Sequence, residues 1–173
     1  MEYTAILEKQ ILGRLKVDNP WWTEGKVPSF YGKMSPRLYL DIFYPLVKDV
    51  DIQRAIILMG PRRVGKTVMI YHSIKKLIDE GVSPQNIIYV SVETPIYNNI
   101  LLEQLFNLAC QILGKEKGKE QFYVFFDEIQ YLKDWEIKAQ PTNPVECVQS
   151  LTQKHVAKRY MIGEKFLPLR HES

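Results

Sequence analysis

Ala55-Ile56-Ile57-Leu58-Met59-Gly60-Pro61-Arg62-Arg63-Val64-Gly65-Lys66-Thr67 is the stretch on which the fold turns. Residues 55–59 form a short, branched, wholly apolar run, the signature of a buried strand. They open directly into G-x-x-x-x-G-K-T, the spacing of a phosphate-binding loop. Glycines allow the backbone to curl so that successive N–H groups point inward at phosphate oxygens. Lys66 has the length and charge to reach the β- and γ-phosphates, and the Thr67 hydroxyl can ligate Mg²⁺. A helix starting at this point adds the positive end of its dipole. Ordinary residue usage produces this pattern in roughly one chain in a hundred of this length, so the strand-then-helix context has to support it.

That context is present on both sides. Downstream, Ile70, Ile74, Leu77 and Ile78 give a helix one buried face, and Gly81 with Pro84 beyond it marks the stop. Ile87 to Val92 is short and β-branched and predicts a second strand. Asn98 or Asn99 is placed to cap a helix running from Leu101 to Leu113, which Gly114 ends. Lys115 to Glu120 is a mixed charge run that reads as a solvated loop. Phe122-Tyr123-Val124-Phe125-Phe126 predicts the next strand. Apolar strands alternating with helices imply a mostly parallel sheet in an α/β protein. Upstream, Ile6, Leu7, Ile11, Leu12 and Leu15 predict a helix over 5–15. Asn19-Pro20 breaks it, and Pro28, Gly32 and Pro36 keep the next stretch irregular. Leu38 to Val47 reads as helical up to Pro45.

The whole chain sets few limits beyond these. Its 173 residues suit one domain, and 46% hydrophobic against 25% charged residues supplies a core. A net charge of +3 indicates no strong nucleic-acid or membrane partner. Cys110 and Cys147 have no metal-ligand spacing, and Cys110 in an apolar helix reads as a buried hydrophobe. Glu2, Glu8 and Lys9 exclude a secretory signal, and no apolar run is long enough to span a membrane. A cytoplasmic location with no membrane contact is the expectation.

The run 122–126 ends in Asp127-Glu128. Ligands of parallel α/β sheets sit at the carboxyl ends of strands, which would bring these acids beside the loop. An Asp there can hold the Mg²⁺ shell, and an adjacent Glu can orient or deprotonate an attacking water. As an isolated pair they would merely begin a polar loop; it is the position after a buried strand that singles them out. One strand lies between the loop and the acids, which fits ATPases with an added strand and a catalytic Glu. The Asn/Thr-Lys-x-Asp motif by which GTPases read guanine is absent, so ATP is the expected nucleotide.

Four segments resemble a group of prokaryotic AAA-type P-loop ATPases: Asn19-Pro20-Trp21-Trp22, residues 60–67, Ile87 to Val92 with Glu93-Thr94-Pro95, and Asp127-Glu128-Ile129-Gln130 through Trp135-Glu136. The likeness covers about residues 19–138. It implies a three-layer α/β/α P-loop core, normally joined to a separate C-terminal domain of DNA-binding or nuclease-like appearance, through which DNA would be a partner. By the same likeness Gly60, Pro61, Arg62, Arg63, Val64, Gly65, Lys66, Thr67 and Val68 hold the nucleotide. Thr67 and Asp127 hold the metal, and Glu128 with Lys66 is catalytic. Arg62 and Arg63 can equally face solvent. Trp21 and Trp22 either flank the base or pack against the sheet edge.

The likeness stops at Lys138. Residues 1–50 are then expected as an N-terminal segment packing on the core, 51–138 as the ATPase core, and 139–173 as a divergent, poorly ordered tail. In the implied topology a further strand inserts between the acidic strand and the loop strand. Pro141 and Pro144 forbid the helix that should precede it. Tyr160 to Gly163 is then the sole strand-like piece left to supply it. Each sheet group left unpaired would cost about 1–3 kcal/mol, against a total stability of about 5–15 kcal/mol. The expectation is a sheet incomplete at its C-terminal end, in a truncated or frame-disrupted relative. The functional expectation is Mg²⁺-dependent ATP hydrolysis, in a protein compatible with homo-oligomer formation. The alternatives are a nucleotide-binding remnant without turnover and a nucleic-acid-binding module using the basic tail.

Overall fold

The computed structural model describes residues 2–49, 56–97, 100–116, 121–131 and 146–152. Four strands, β1 (Ile56–Gly60), β2 (Ile87–Ser91), β3 (Tyr123–Asp127) and β4 (Glu146–Thr152), form one sheet in the order β1-β4-β3-β2. Every neighbouring pair is parallel. The apolar runs explain why: strands covered on both faces cannot carry the polar alternation of a solvated sheet. All five residues of β3 are buried, as are the first four of β2.

The order corrects the expectation of an incomplete sheet. β4 lies in the stretch expected to be a poorly ordered tail, and it fills the place between the two halves of the sheet. Ile56 to Gly60 pair in register with Val148 to Thr152, and Tyr123 to Phe126 with Glu146 to Gln149. The prolines at 141 and 144 stand just ahead of the strand and so remove nothing from its ladder. The alternative strand at 160–163 lies outside the described residues, as do both prolines, Asn98, Asn99 and the charge run from Lys117 to Glu120.

Helices cover this sheet. α5 (Lys66–Asp79) buries Met69, Ile70, Ile74 and Leu77, the face expected from their spacing, and contacts β1. α6 (Leu102–Leu113) ends at Gly114 in the left-handed conformation, as expected (φ 64°). At its start the N-cap is Leu101, whose N–H is taken by the Gln104 side chain at 3.1 Å. Cys110 on this helix is buried. α4 (Leu40–Lys48) also departs from expectation by running through Pro45. The lost bond is a single one to Asp41, and the buried face of Leu40, Phe43, Tyr44 and Val47 holds the helix together.

The N-terminal α1 (Glu2–Asp18) contacts β2 and α6, and the next residues seal the outer edge of β2. The Asn19 amide acts as a substitute strand. Its Nδ2 donates to the Tyr89 carbonyl at 2.8 Å, and its Oδ1 accepts from the Tyr89 N–H at 2.6 Å. Trp21 and Trp22, in the helical turn α2 (Trp21–Glu24), each donate an indole N–H to the Ile87 carbonyl, at 2.9 and 2.8 Å. An open edge is thereby closed with side chains, which removes a template for unwanted strand pairing. Both tryptophans therefore pack on the sheet edge and do not flank a base. A further turn, α3 (Ser29–Gly32), rests on α5. Among the described residues, no helix is long and apolar enough to cross a membrane.

Candidate functional site

The backbone reverses between β1 and α5 over Pro61 to Gly65, with two residues in the left-handed region: Arg63 at φ 67° and Gly65 at φ 95°. Glycine is the residue that takes such a conformation without steric cost. Gly65 is the residue preceding α5, and its carbonyl accepts the Met69 N–H at 3.0 Å. The first N–H groups of α5 have no helical partners.

Lys66 is 7% exposed, and its Nζ donates to the carbonyls of Gly60 (3.1 Å) and Pro61 (3.0 Å). The ammonium thus lies folded across the mouth of its own loop, held by two carbonyl acceptors. Thr67 Oγ1 donates to Asp127 Oδ2 at 2.7 Å. This contact spans sixty positions of sequence and brings the loop and the end of β3 together. Asp127 is 3% exposed, and the same Oδ2 accepts from the Tyr89 hydroxyl at 3.2 Å. Its Oδ1 accepts from the Glu128 N–H at 3.1 Å. Glu128 itself has φ 56°, a conformation that costs a non-glycine residue of order 1–3 kcal/mol and is characteristic of functional turns.

These groups share a cleft of about 550 Å³. Arg63, Gly65, Lys66, Thr67, Val68, Asp127 and Glu128 line it, so both halves of the expected site meet in one space. Gly60 and Pro61 contribute through their carbonyls on Lys66 instead. Val64 is half exposed, and Arg62 points to the Tyr131 hydroxyl at 3.5 Å, away from the cleft wall.

Several lining residues had no local signal in the sequence. Tyr89 sits in a strand that reads simply as core, and burial, with the Asp127 charge adding to it, pushes its phenol well above the ordinary range. Phe30, Tyr31, Met34 and Arg37 come from the irregular stretch before the loop. Tyr31 stacks on Tyr71 of α5 at 3.9 Å with the rings 6° from parallel, and Tyr71 leans on Tyr89 at 5.2 Å. No short-range period connects these residues, so their convergence is a property of the fold.

The strand-loop-helix and the acidic strand lie in the segment by which the chain belongs to the AAA domain family, whose model matches residues 52–142. The family brings a nucleotide-binding, ATPase-like function. The chain is 30% identical over 115 residues to an uncharacterized protein of Methanocaldococcus jannaschii, a match covering 63% of this chain and 24% of that protein. It is 33% identical over 92 residues to an uncharacterized protein of Haemophilus influenzae, covering 51% of this chain and 22% of the relative. The chain therefore spans about a quarter of the length of these curated relatives. No solved structure matches it significantly.

Proposed function

We propose that this chain binds ATP in the 60–68 loop and hydrolyses it with Mg²⁺, as the core of a three-layer P-loop ATPase. The observation that carries the reading is the 2.7 Å contact between Thr67 and Asp127. A hydroxyl and a carboxylate meeting at the open end of a phosphate loop are the hard oxygen donors that Mg²⁺ takes, so the residues present fit the ion. When bound, the metal supplies charge neutralisation for the β- and γ-phosphates.

The remaining chemistry belongs to the protein. Backbone N–H groups at Gly65, Lys66 and Thr67 receive phosphate oxygens. Lys66 exchanges its two carbonyl acceptors for the β- and γ-phosphates, a short reach because its ammonium already lies at the mouth of the loop. Asp127 is held in orientation by Tyr89 and the Glu128 N–H, and with the Thr67 hydroxyl it would hold the metal. Glu128, next along the chain in the same cleft, takes the proton of the attacking water. A homo-oligomer, and a DNA-binding or nuclease-like domain joined to this core, are the partners consistent with the family resemblance.

Phosphate release and nucleotide binding test the reading together. Lys66→Ala is expected to lose nucleotide affinity. Glu128→Gln is expected to bind ATP at wild-type affinity while turnover falls by about 10²-fold or more. Equal turnover in wild type and Glu128→Gln removes the assigned base. ATP binding without release in wild type leaves the nucleotide-binding remnant as the correct account.

A further inference from the structure

The segment 29–37, upstream of the phosphate loop, is pinned to α5 at several points. Tyr31 stacks on Tyr71, and the Tyr31 carbonyl lies 2.9 Å from His72 Nε2. At the far end of the segment, the Arg37 guanidinium lies against the α-carbon of Gly65. A side chain begun there would put its Cβ 2.6 Å from Arg37 Nε and 3.1 Å from Cζ. Arg37 lines the same cleft as Lys66 and Thr67, and among the described residues no carboxylate pairs with it. The Arg37 side chain is solvent-exposed, so its planar fork of donors can exchange water for phosphate oxygens without breaking an ion pair.

We infer that Arg37 is a nucleotide-binding residue, a guanidinium supplied in cis that contacts the α/β-phosphate portion of the ligand bound in the loop. The inference rests on the nucleotide reading above and adds a residue outside the loop motif. The location assigns which phosphates it meets. Backbone N–H groups of such a loop cradle the α- and β-phosphates, and Arg37 sits on Gly65, within that cradle. The γ-phosphate end is marked by Lys66, Thr67 and the acids. Gly65 is then required for its left-handed backbone, and a Cβ there would also push the guanidinium aside. A diphosphate and a triphosphate should therefore depend on Arg37 equally.

The test measures calorimetric affinities of the full chain for MgADP and for a non-hydrolysable MgATP analogue, with wild type, Arg37→Gln and Arg37→Lys. A charge-assisted phosphate contact predicts that Arg37→Gln weakens both ligands by the same factor, about ten- to a hundredfold. Arg37→Lys, which keeps the stem and one charge but loses the fork, should weaken both by a smaller common factor. The melting temperatures of the unliganded variants should match wild type. Wild-type affinity in both variants overturns the inference while leaving the nucleotide reading intact. A loss confined to the triphosphate analogue overturns it as well, by moving Arg37 to the γ-phosphate. A lowered melting temperature with unchanged affinity assigns Arg37 a packing role and also overturns it. If wild type binds neither ligand, the nucleotide reading itself falls.

Discussion

Replacing Asn19 with Ala tests how the N-terminal segment stabilises the sheet. The Asn19 side chain makes three hydrogen bonds, to the Leu15 carbonyl and to both backbone groups of Tyr89, and the residue is 1% exposed. The Leu15 carbonyl keeps a partner after truncation, because the Asn19 backbone N–H also donates to it at 3.1 Å. Tyr89 does not: its N–H and carbonyl lie on the outer edge of β2 and both become buried and unpaired. At about 1–3 kcal/mol for each orphaned group, the cost is about 2–6 kcal/mol. For a chain of this size that corresponds to a fall in melting temperature of roughly 10 °C. Thermal and urea unfolding would read it. The neighbouring tryptophans supply the contrast. Both indoles donate to a single acceptor, Ile87 O, so Trp22→Phe leaves that carbonyl paired, and only the Trp21→Phe, Trp22→Phe double variant orphans it. The double variant should lose about 1–2 kcal/mol more than the sum of the singles, with cavity effects cancelling in the cycle. An Asn19→Ala protein that melts with wild type, or an additive tryptophan cycle, would refute the side-chain edge.

Gly65→Ala should lower stability by about 1–2 kcal/mol through its left-handed backbone and abolish nucleotide binding, as read by melting with and without ADP. If the Arg37 contact adds to the cost, Arg37→Gln in the same background recovers part of the stability; no recovery separates the two residues. Stability should also decline in alkali. Burial first, then the nearby Asp127 and Asp18 carboxylates, hold the Tyr89 and Tyr97 phenols above their ordinary range. A phenol raised in the folded state contributes its full stability below the unfolded value of about 10, and loses it as pH climbs through the folded one. Urea midpoints should therefore fall from about pH 10 upward, less steeply in Tyr97→Phe than in wild type; parallel curves would contradict the burial of that hydroxyl.

Much of the protein was legible residue by residue because its chemistry is contiguous. Five apolar residues before a glycine-rich turn specify β1 and the loop, the spacing of Ile70, Ile74 and Leu77 specifies the buried face of α5, and Gly114 specifies a helix end. Each is a local steric or periodic effect, readable within a dozen positions. The strand Glu146–Thr152 was not legible, since it lacks a wholly apolar run and follows two prolines; what makes it a strand is a slot with unpaired ladders on both sides. Pro45 misled for the same reason in reverse, because burial of one helix face outweighs one lost hydrogen bond.

The sequence by itself determined the family and the two halves of the cleft: a glycine-rich loop at 60–67 and a strand ending in Asp127-Glu128. Tertiary structure alone decided what surrounds them. It set Thr67 on Asp127, put Tyr89 behind that carboxylate, laid Arg37 on Gly65, and turned Asn19 and two tryptophans into the edge of a sheet. These contacts join residues about 30 to 70 positions apart, where neither period nor propensity carries information, and only the closing of the chain brings them within reach.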